Sequence, residues 1–380
     1  MFDVVVVGGG IMGCTTALHL ARGGMRIIVL ERRRLCMAAS SVNSGTLSIQ
    51  IKKPALIPYS VRAAELWRRN HEWLGEEIGF RTLGGVTVAF TEKEAELLER
   101  LSLERRDAGA PIEIMGIDRA RELEPALADN VRLASFCPLD GYAHSYLTGR
   151  AFRTALGKAG AQYRENTRVD HIAPQDGGFC VRANGETVHA RRVVLATNGW
   201  LEEMVTWLGC YLPPFIVRAN QSIVTERAYP IFKRVISVAN GRLTLKQTHT
   251  GSVIMGGGWQ GIGDLESGGV AVIPENMINN IRLARYIIPR LSEVRVARAW
   301  VGVDSRLPDF LPLVGPLPGV EGAYVISSFG AGFTNGPIFG LILAQHILGR
   351  VPELPLFDPE RVVRDRPYNP LSIVHSPDAN

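Results

Sequence analysis

Three glycines and one glutamate near the start of the chain have the types and spacing needed to hold a dinucleotide. Gly8, Gly10 and Gly13 form the pattern G-x-G-x-x-G, and Glu31 directly follows the apolar run at residues 27–30. In such a pattern the first glycine permits a tight turn, the second admits a phosphate and the third lets a helix pack closely. The carboxylate of Glu31 can bind both ribose hydroxyls and would repel a 2′-phosphate, which argues against NADP.

A strand, a turn and a helix must position these residues, and the sequence predicts all three. Residues 4–7 are all valine, which is typical of a strand buried on both faces of a parallel sheet. The residues after the turn are apolar at helical spacing as far as Gly23 and Gly24, a suitable C-terminal cap. The backbone N–H groups at the helix start, including those of Ile11 and Met12, would face a pyrophosphate. The pattern alone leaves NAD(P) and flavin both open.

Composition narrows the class of protein. The 380 residues are 46% hydrophobic and 21% charged, which predicts a folded protein with two domains or one large interleaved body. The net charge of +5 is small and spread out, so we expect a solvated surface and no nucleic-acid-binding stripe. The five cysteines form no C-x-x-C pair, which argues against a metal or iron–sulfur site within the chain. With no export signal and no apolar run of ~18 residues, a cytoplasmic protein is expected.

The segment after Glu31, "RRRLCMAASSVNSGTLS", carries a family resemblance. A simple NAD domain would continue with further βα units, whereas here a loop of small residues spans positions 38–45. This loop resembles the D-amino-acid-oxidase-like family of FAD-dependent oxidoreductases, in which an A-S-S-x-N-x-G type loop runs beside the flavin diphosphate and ring. The resemblance implies that FAD is contacted here by Arg32, Ala39, Ser40, Ser41, Asn43, Gly45 and Thr46.

Three further segments match the same family in the same order. "GYAHSYLTGRAFRTALGKAGAQYRENTRVDHI" resembles its helix and returning strand, where the backbone of Val169 would meet the adenine. "ARRVVLATNGW" resembles the family's VVxATGxW turn, and "VEGAYVISSFGAGFTNGPIFGLILAQHILG" is a strand, a glycine-rich turn and an apolar helix. The dipole of that last helix would stabilise negative charge on the reduced flavin ring. The cofactor contacts implied by these two turns are Thr197, Gly199, Trp200, Gly330, Gly332, Phe333 and Thr334.

The resemblance also implies the architecture. It predicts an α/β fold in which a glutathione-reductase-type Rossmann FAD domain is interleaved with an antiparallel-sheet α+β substrate domain. The amine would bind between that sheet and the flavin, at a domain interface. The expected ranges are 1–80, 138–212 and 304–350 for the FAD domain, 81–137 and 213–303 for the substrate domain, and 351–380 for an extended tail.

The chain departs from the simplest members of the family at one position. Amino-acid substrates need their carboxylate held, usually by arginine in bidentate geometry. Simple glycine oxidases carry that arginine at the start of an RPxxxDxxPxxG stretch, whereas this chain reads "RAWVGVDSRLPDFLPLVG". Aligning Asp309, Pro312 and Gly315 puts Asp304 at the arginine position, and Arg306 follows two residues later without necessarily pointing the same way.

This stretch, which has no arginine at position 304, is more similar to the β subunits of heteromeric sarcosine and proline dehydrogenases. The nearest resemblance is to the B subunit of opine oxidases of the octopine and nopaline type, and to a subunit of hydrogen cyanide synthase. It implies oxidation of a secondary amine by hydride transfer to flavin N5, followed by hydrolysis of the imine to an amino acid and a keto acid. A second subunit would accept the electrons, through an FMN at the subunit interface or through an iron–sulfur partner.

The candidate catalytic residues are Lys246, Asp304 and Asn335. In this family a lysine near N5 can assist reaction with oxygen, but Lys246 could equally be a solvent-facing strand lysine. Asp304 could suit a guanidinium-bearing substrate or be a capping residue. His249 is expected in a surface turn and Trp300 in the core. No Ser-His-Asp or Cys-His set stands out, so no covalent nucleophile is expected.

Three other functions stay open at this point. A stand-alone glycine, sarcosine-type or D-amino-acid oxidase producing hydrogen peroxide would need the arginine missing from position 304. A non-catalytic flavin-binding subunit would serve assembly alone. An NAD-dependent dehydrogenase would have no use for the "FGAGFTNGP" turn.

Overall fold

The computed structural model describes residues 1–265, 268–327 and 330–368. The helices are α1 (Ile11–Arg22), α2 (Ala39–Val42), α3 (Ile57–Arg68), α4 (Asn70–Leu74), α5 (Glu92–Asp107), α6 (Ile117–Leu123), α7 (Ser145–Lys158), α8 (Leu201–Thr206), α9 (Pro274–Ile287) and α10 (Gly332–Ile347). The strands are β1 (Phe2–Val7), β2 (Ile27–Leu30), β3 (Thr46–Leu47), β4 (Arg81–Thr82), β5 (Gly85–Ala89), β6 (Glu113–Met115), β7 (Leu133–Cys137), β8 (Gly141–Tyr142), β9 (Gln162–Arg164), β10 (Val169–Gln175), β11 (Gly178–Ala183), β12 (Glu186–Leu195), β13 (Ile216–Arg227), β14 (Val235–Val238), β15 (Thr244–Gln247), β16 (Ser252–Gln260), β17 (Ile262–Gly263), β18 (Val270–Ala271), β19 (Val296–Arg306), β20 (Leu313–Pro316) and β21 (Ala323–Ser327).

The first large sheet has a parallel centre in the order β9, β2, β1, β12, β21. Its middle strand β1 is the all-valine run, and residues 4–7 are buried on both faces, as the sequence predicts. The long strand β12 changes partners along one edge, because its first half pairs with β11 and its last three residues pair with β21. The predicted Rossmann-type unit is therefore confirmed.

Two helices cover one face of this sheet and touch each other closely. Helix α10 packs against α1, and both are apolar where they meet. A Cβ atom on Gly340 would lie 2.6 Å from the Cβ of Thr15, and one on Gly336 would lie 2.9 Å from Ile11 Cγ2. The two glycines therefore allow the helix backbones to approach at a distance that a side chain would prevent.

The second large sheet has the order β19, β13, β16, β15, β14, β5, β7, β6. Its neighbours are antiparallel except for β5 and β14, which run parallel, so the sheet is mixed where a purely antiparallel one was expected. Parallel pairing arises because the chain leaves β5 through a long excursion and returns in the same direction at β14. Helices α5, α6 and α9 pack on this sheet over its own hydrophobic core.

The segment after α10 crosses the surface of the first sheet. Val314 N donates to Phe357 O (2.9 Å), and Tyr59 Oη donates to Pro355 O (2.7 Å). Arg361 Nε lies 2.9 Å from Asp309 Oδ2. Residues 351–368 thus form an extended strap, while 369–380 of the predicted tail lie outside the described residues. The division into domain ranges given above stays a prediction. In the described part of the chain, no helix is long and apolar enough to cross a membrane.

Candidate active site

The turn between β1 and α1 is shaped by its glycines. Gly8 has φ +103°, and a Cβ there would lie 2.5 Å from the backbone oxygen of Ala196, so only glycine fits. A Cβ on Gly13 would lie 2.1 Å from Gly8 O, which confirms that it serves close packing. At Gly10 the one described heavy atom within 4 Å of such a Cβ is Ser40 Oγ, at 3.3 Å. The space beside Gly10 is therefore open for a ligand.

Glu31 lies at the end of β2 and is only 9% exposed. Its Oε2 accepts a hydrogen bond from Gly9 N and its Oε1 one from Arg33 N, both at 2.7 Å. Each carboxylate oxygen can accept a second hydrogen bond, so ribose hydroxyls can still bind. Beside it, the guanidinium of Arg32 stacks 3.6 Å from the centroid of the Trp200 ring.

The segment at residues 38–45 was expected as an open loop, and residues 39–42 instead form one helical turn, α2. Ser40 Oγ accepts a hydrogen bond from Ile11 N at 3.0 Å, which ties this turn to the start of α1. Asn43 Oδ1 accepts from Gly45 N at 2.7 Å, and Gly45 has φ +76° with no room for a Cβ beside Ala143 O. Asn43 and Gly45 thus shape the backbone.

A cavity of about 600 Å³ opens beside these elements. It brings together ten of the predicted cofactor residues, namely Gly8, Gly10, Glu31, Arg32, Ala39, Ser40, Val169, Thr197, Gly199 and Trp200. Other predicted residues are not among its lining, namely Ile11, Met12, Gly13, Ser41, Asn43, Gly45, Thr46, Gly330, Gly332, Phe333 and Thr334. Their contacts with a cofactor stay predictions.

Sequence reasoning missed part of the wall of this cavity. The hairpin β17–β18 contributes Asp264, Leu265, Gly268 and Val270, and the middle of β19 contributes residues 301–303. Trp200 Nε1 donates to Leu265 O at 3.2 Å, so the hairpin is anchored to the turn after β12. Arg168 also lines the cavity, directly before the predicted Val169. No sequence pattern distinguishes the hairpin from an ordinary surface turn.

The start of α10 carries a buried amide that has no hydrogen-bond partner among the described residues. Asn335 is 0% exposed, and neither its Nδ2 nor its Oδ1 has a partner in the described part of the chain; the same is true of Thr197 Oγ1. Buried polar atoms without a hydrogen bond are costly and rare. A Cβ on Gly332 would have no described heavy atom within 4 Å, whereas Thr334 O accepts from Trp67 Nε1 at 2.8 Å. Together with the open space at Gly10, these groups fit FAD.

Lys246 on β15 is buried, so it is not the solvent-facing strand lysine that the sequence left open as an alternative. It is 2% exposed, and its Nζ donates to Thr46 Oγ1 at 2.8 Å and to Ser44 O. Burial lowers the pKa of Lys246 to about 7. The second sheet thereby places a proton-exchanging ammonium against the loop that follows α2.

Replacing Lys246 with methionine should change how stability depends on pH. An unfolded lysine keeps its pKa near 10.5, so between pH 7 and 10.5 the unfolded chain binds more protons than the folded one. Wild-type stability should therefore rise from pH 7 to 8.5, and in Lys246→Met this rise should shrink by about 1.5 kcal/mol. Urea unfolding at several pH values measures this. The exposed Lys93→Met is the control, and an unchanged slope in Lys246→Met would contradict the burial.

Alternate residues of β19 face the same way, and this decides where the residues near position 304 point. Trp300 Nε1 donates to Val42 O at 2.7 Å, and a Cβ on Gly302 would lie 2.4 Å from Val42 Cγ2. Asp304 and Arg306 continue that series. The sequence left the direction of Arg306 open; strand alternation puts it on the face of Asp304.

The two charged residues at the end of β19 are both partly buried. Burial raises the pKa of Asp304, and the nearby Arg306 guanidinium opposes this rise. Asp304 Oδ1 accepts a long hydrogen bond from Asn198 Nδ2 at 3.5 Å. The Arg306 guanidinium lies beside Gly330, which precedes α10 in the chain. A Cβ added to Gly330 would lie 3.2 Å from Arg306 Cζ. His249, by contrast, lies exposed in the turn after β15.

Known proteins share this arrangement over almost the whole chain. Residues 3–346 match the DAO family, described as FAD dependent oxidoreductase. The B subunit of opine oxidase from Rhizobium meliloti is 29% identical over 91% of this chain and 93% of that protein. Glycine oxidase of Geobacillus kaustophilus is 26% identical over 90% and 92%.

A solved structure agrees with both. L-Proline dehydrogenase from P. horikoshii superposes with a TM-score of 0.86 and 26% identity, covering 94% of this chain and 97% of that one. When bound, FAD would be held by the turn after β1, by Glu31 and by the start of α10. The chain therefore belongs to the DAO family and is an FAD-dependent oxidoreductase.

Proposed function

We propose that this protein oxidises a secondary amine of the opine or imino-acid class, such as octopine or nopaline, as the FAD-bearing catalytic subunit of a heteromeric dehydrogenase. The observation that carries the proposal is the partly buried carboxylate of Asp304 at the position where simple glycine oxidases carry arginine. The similarity to the B subunit of opine oxidase supports the same class of substrate.

The chain's own residues suit this reaction. FAD, when bound, supplies the hydride acceptor for the C–H bond beside the amine nitrogen. The amine must be neutral, and Lys246, with a pKa of about 7, can hold or release a proton near neutral pH. Asp304 would bind a cationic part of the substrate, such as a guanidinium. The amide of Asn335, which has no hydrogen-bond partner among the described residues, would position the bound groups.

The electrons would pass to a second subunit. The relative from Rhizobium meliloti is itself called a B subunit, which supports a heteromer. An FMN at the subunit interface or an iron–sulfur partner would suit this transfer, because each accepts electrons from a reduced flavin. Hydrolysis of the imine would then return an amino acid and a keto acid.

The test is to purify the chain with its co-purifying partners and to follow the flavin absorbance without oxygen. Octopine, nopaline, proline, sarcosine and glycine are added separately. We expect an opine to bleach the flavin fastest and the isolated chain to produce little peroxide in air. Bleaching by glycine alone, with peroxide formed by the isolated chain, would overturn the proposal.

A stand-alone glycine oxidase is the second candidate, because a glycine oxidase is 26% identical over 90% of this chain. The same experiment separates the two. A third outcome, a bound flavin that no amine bleaches, would indicate a non-catalytic flavin-binding subunit.

A further inference from the structure

Lys52 is a largely buried cation that has no ion-pair partner in the described part of the chain. It follows β3 in the chain and is 6% exposed. Its Nζ forms no hydrogen bond and no ion pair with any residue within 1–265, 268–327 or 330–368. A buried ammonium in this condition is expensive, and proteins normally keep one only where an anion meets it. The proposed reaction assigns no role to Lys52.

Arg306 is the second such cation. Its Nε is buried and finds no acceptor among the residues described, and no carboxylate of those residues lies within 4 Å of its guanidinium. Its Cζ lies 5.8 Å from the centroid of the Phe310 ring. Asp304, two residues earlier on the same face of β19, is the nearest carboxylate that acts on it.

These two cations belong to neighbouring segments. Lys53, next to Lys52, donates from Nζ to Asp309 O at 3.1 Å and lies 5.1 Å from the centroid of the same Phe310 ring. The 52–53 segment is therefore packed on the 306–310 segment. Phe310 has φ +56°, a conformation that bulky residues avoid and that is concentrated at functional sites.

The carboxylates that act on the two cations, Asp140 on Lys52 and Asp304 on Arg306, form no ion pair with them among the described residues. Asp140 is the carboxylate closest in effect to Lys52, but it already accepts hydrogen bonds from Ser48 Oγ, Ile49 N and Gln50 Nε2. Arg105 and Arg306 act on Lys52 in the opposite sense, and Arg218 acts on Arg306. Burial lowers the pKa of Lys52 to about 8. A bound anion would lower the electrostatic cost of burying these two cations.

We propose that Lys52 and Arg306 form a subsite that binds a carboxylate of the substrate, in place of the arginine absent from position 304. Arginine can bind a carboxylate through two parallel hydrogen bonds, and lysine adds a point charge. That this anion belongs to an oxidised amine rests on the function proposed above. Binding of the carboxylate itself can be measured without any reaction.

The test measures binding of diglycolate to the FAD-loaded protein by calorimetry. Diglycolate is an ether dicarboxylate with the shape of iminodiacetate, and it cannot be oxidised as an amine. Loss of one charge-assisted hydrogen bond should raise its Kd about 10- to 100-fold in Arg306→Met and in Lys52→Met. The matched control Lys53→Met removes the same charge one residue away, from an exposed side chain, and should stay within about twofold. Neutral diglycolamide should bind weakly to all four proteins.

Two results would overturn the subsite. One is an equal diglycolate Kd in the wild type and both test variants; the other is an equal loss in Lys53→Met. Folding is checked by FAD content and Tm, and Lys52→Gln with Arg306→Gln provides a polar second pair if a methionine variant folds poorly. If diglycolate binds as expected while no amine bleaches the flavin, the proposed function fails and the subsite stands.

Discussion

Replacing Gly10 with valine is expected to give a folded but colourless protein. In the structure a Cβ at this position meets no described heavy atom within 4 Å except Ser40 Oγ at 3.3 Å, so the chain can hold a side chain once Ser40 Oγ shifts by a few tenths of an ångström. With valine in place, a phosphate no longer has room to approach the backbone, because the side chain occupies the same space. Each charge-assisted hydrogen bond lost is worth about 10- to 150-fold in FAD affinity, so little FAD should remain after purification.

The measurement is the ratio of flavin absorbance to protein, with Tm of the FAD-free protein as a check on folding. Gly332→Val should behave in the same way, because the described residues leave its Cβ position open as well. Gly157→Val is the matched control, since Gly157 lies exposed on α7 with open space around it. Full yellow colour in Gly10→Val would show that the phosphates lie elsewhere.

Gly340→Val should have the largest effect on stability. Here the added Cβ would lie 2.6 Å from Thr15 Cβ and 2.9 Å from Thr16 N, and one of those atoms is backbone. Overpacking of this kind forces two helices apart, and we expect the free energy of unfolding to fall by about 3 kcal/mol. Urea unfolding followed by tryptophan fluorescence measures it, and FAD content should fall in parallel.

A second substitution distinguishes helix contact from a general cost of valine. Thr15→Gly removes the side chain that the new Cβ would meet, so Gly340→Ala should cost less in the Thr15→Gly background than in the wild type. Additive effects of the two substitutions would mean that α1 and α10 do not approach as closely as described.

The parts of the fold that could be predicted are those encoded by local spacing. Gly8 and Gly13 form the tight turn and the close packing that their pattern predicts, and Glu31 lies beside that turn, because a strand, a turn and a helix in sequence leave few geometries for the backbone. The apolar helix α10 was recognisable for the same reason. In both places the interactions that determine the structure join residues within about 30 positions of one another in the sequence.

Other features depend on residues far apart in the chain and could not be predicted. The parallel pairing of β5 with β14 depends on the path between them, and the burial of Lys246 depends on Thr46, 200 residues away. The direction of Arg306 needed the extent of β19, because a strand ending two residues earlier would leave it free to turn. Helix α2 was missed because one short turn has no periodic signal.

The contact between α1 and α10 has a consequence for how the protein is made. The turn between β1 and α1 is translated well before α10, the helix that carries Asn335 and packs on α1. Until then the apolar side of α1 lacks the helix that packs on it most extensively. A site that needs both elements is therefore complete only after α10 has been translated, and until then the nascent polypeptide has to keep that side of α1 from aggregating.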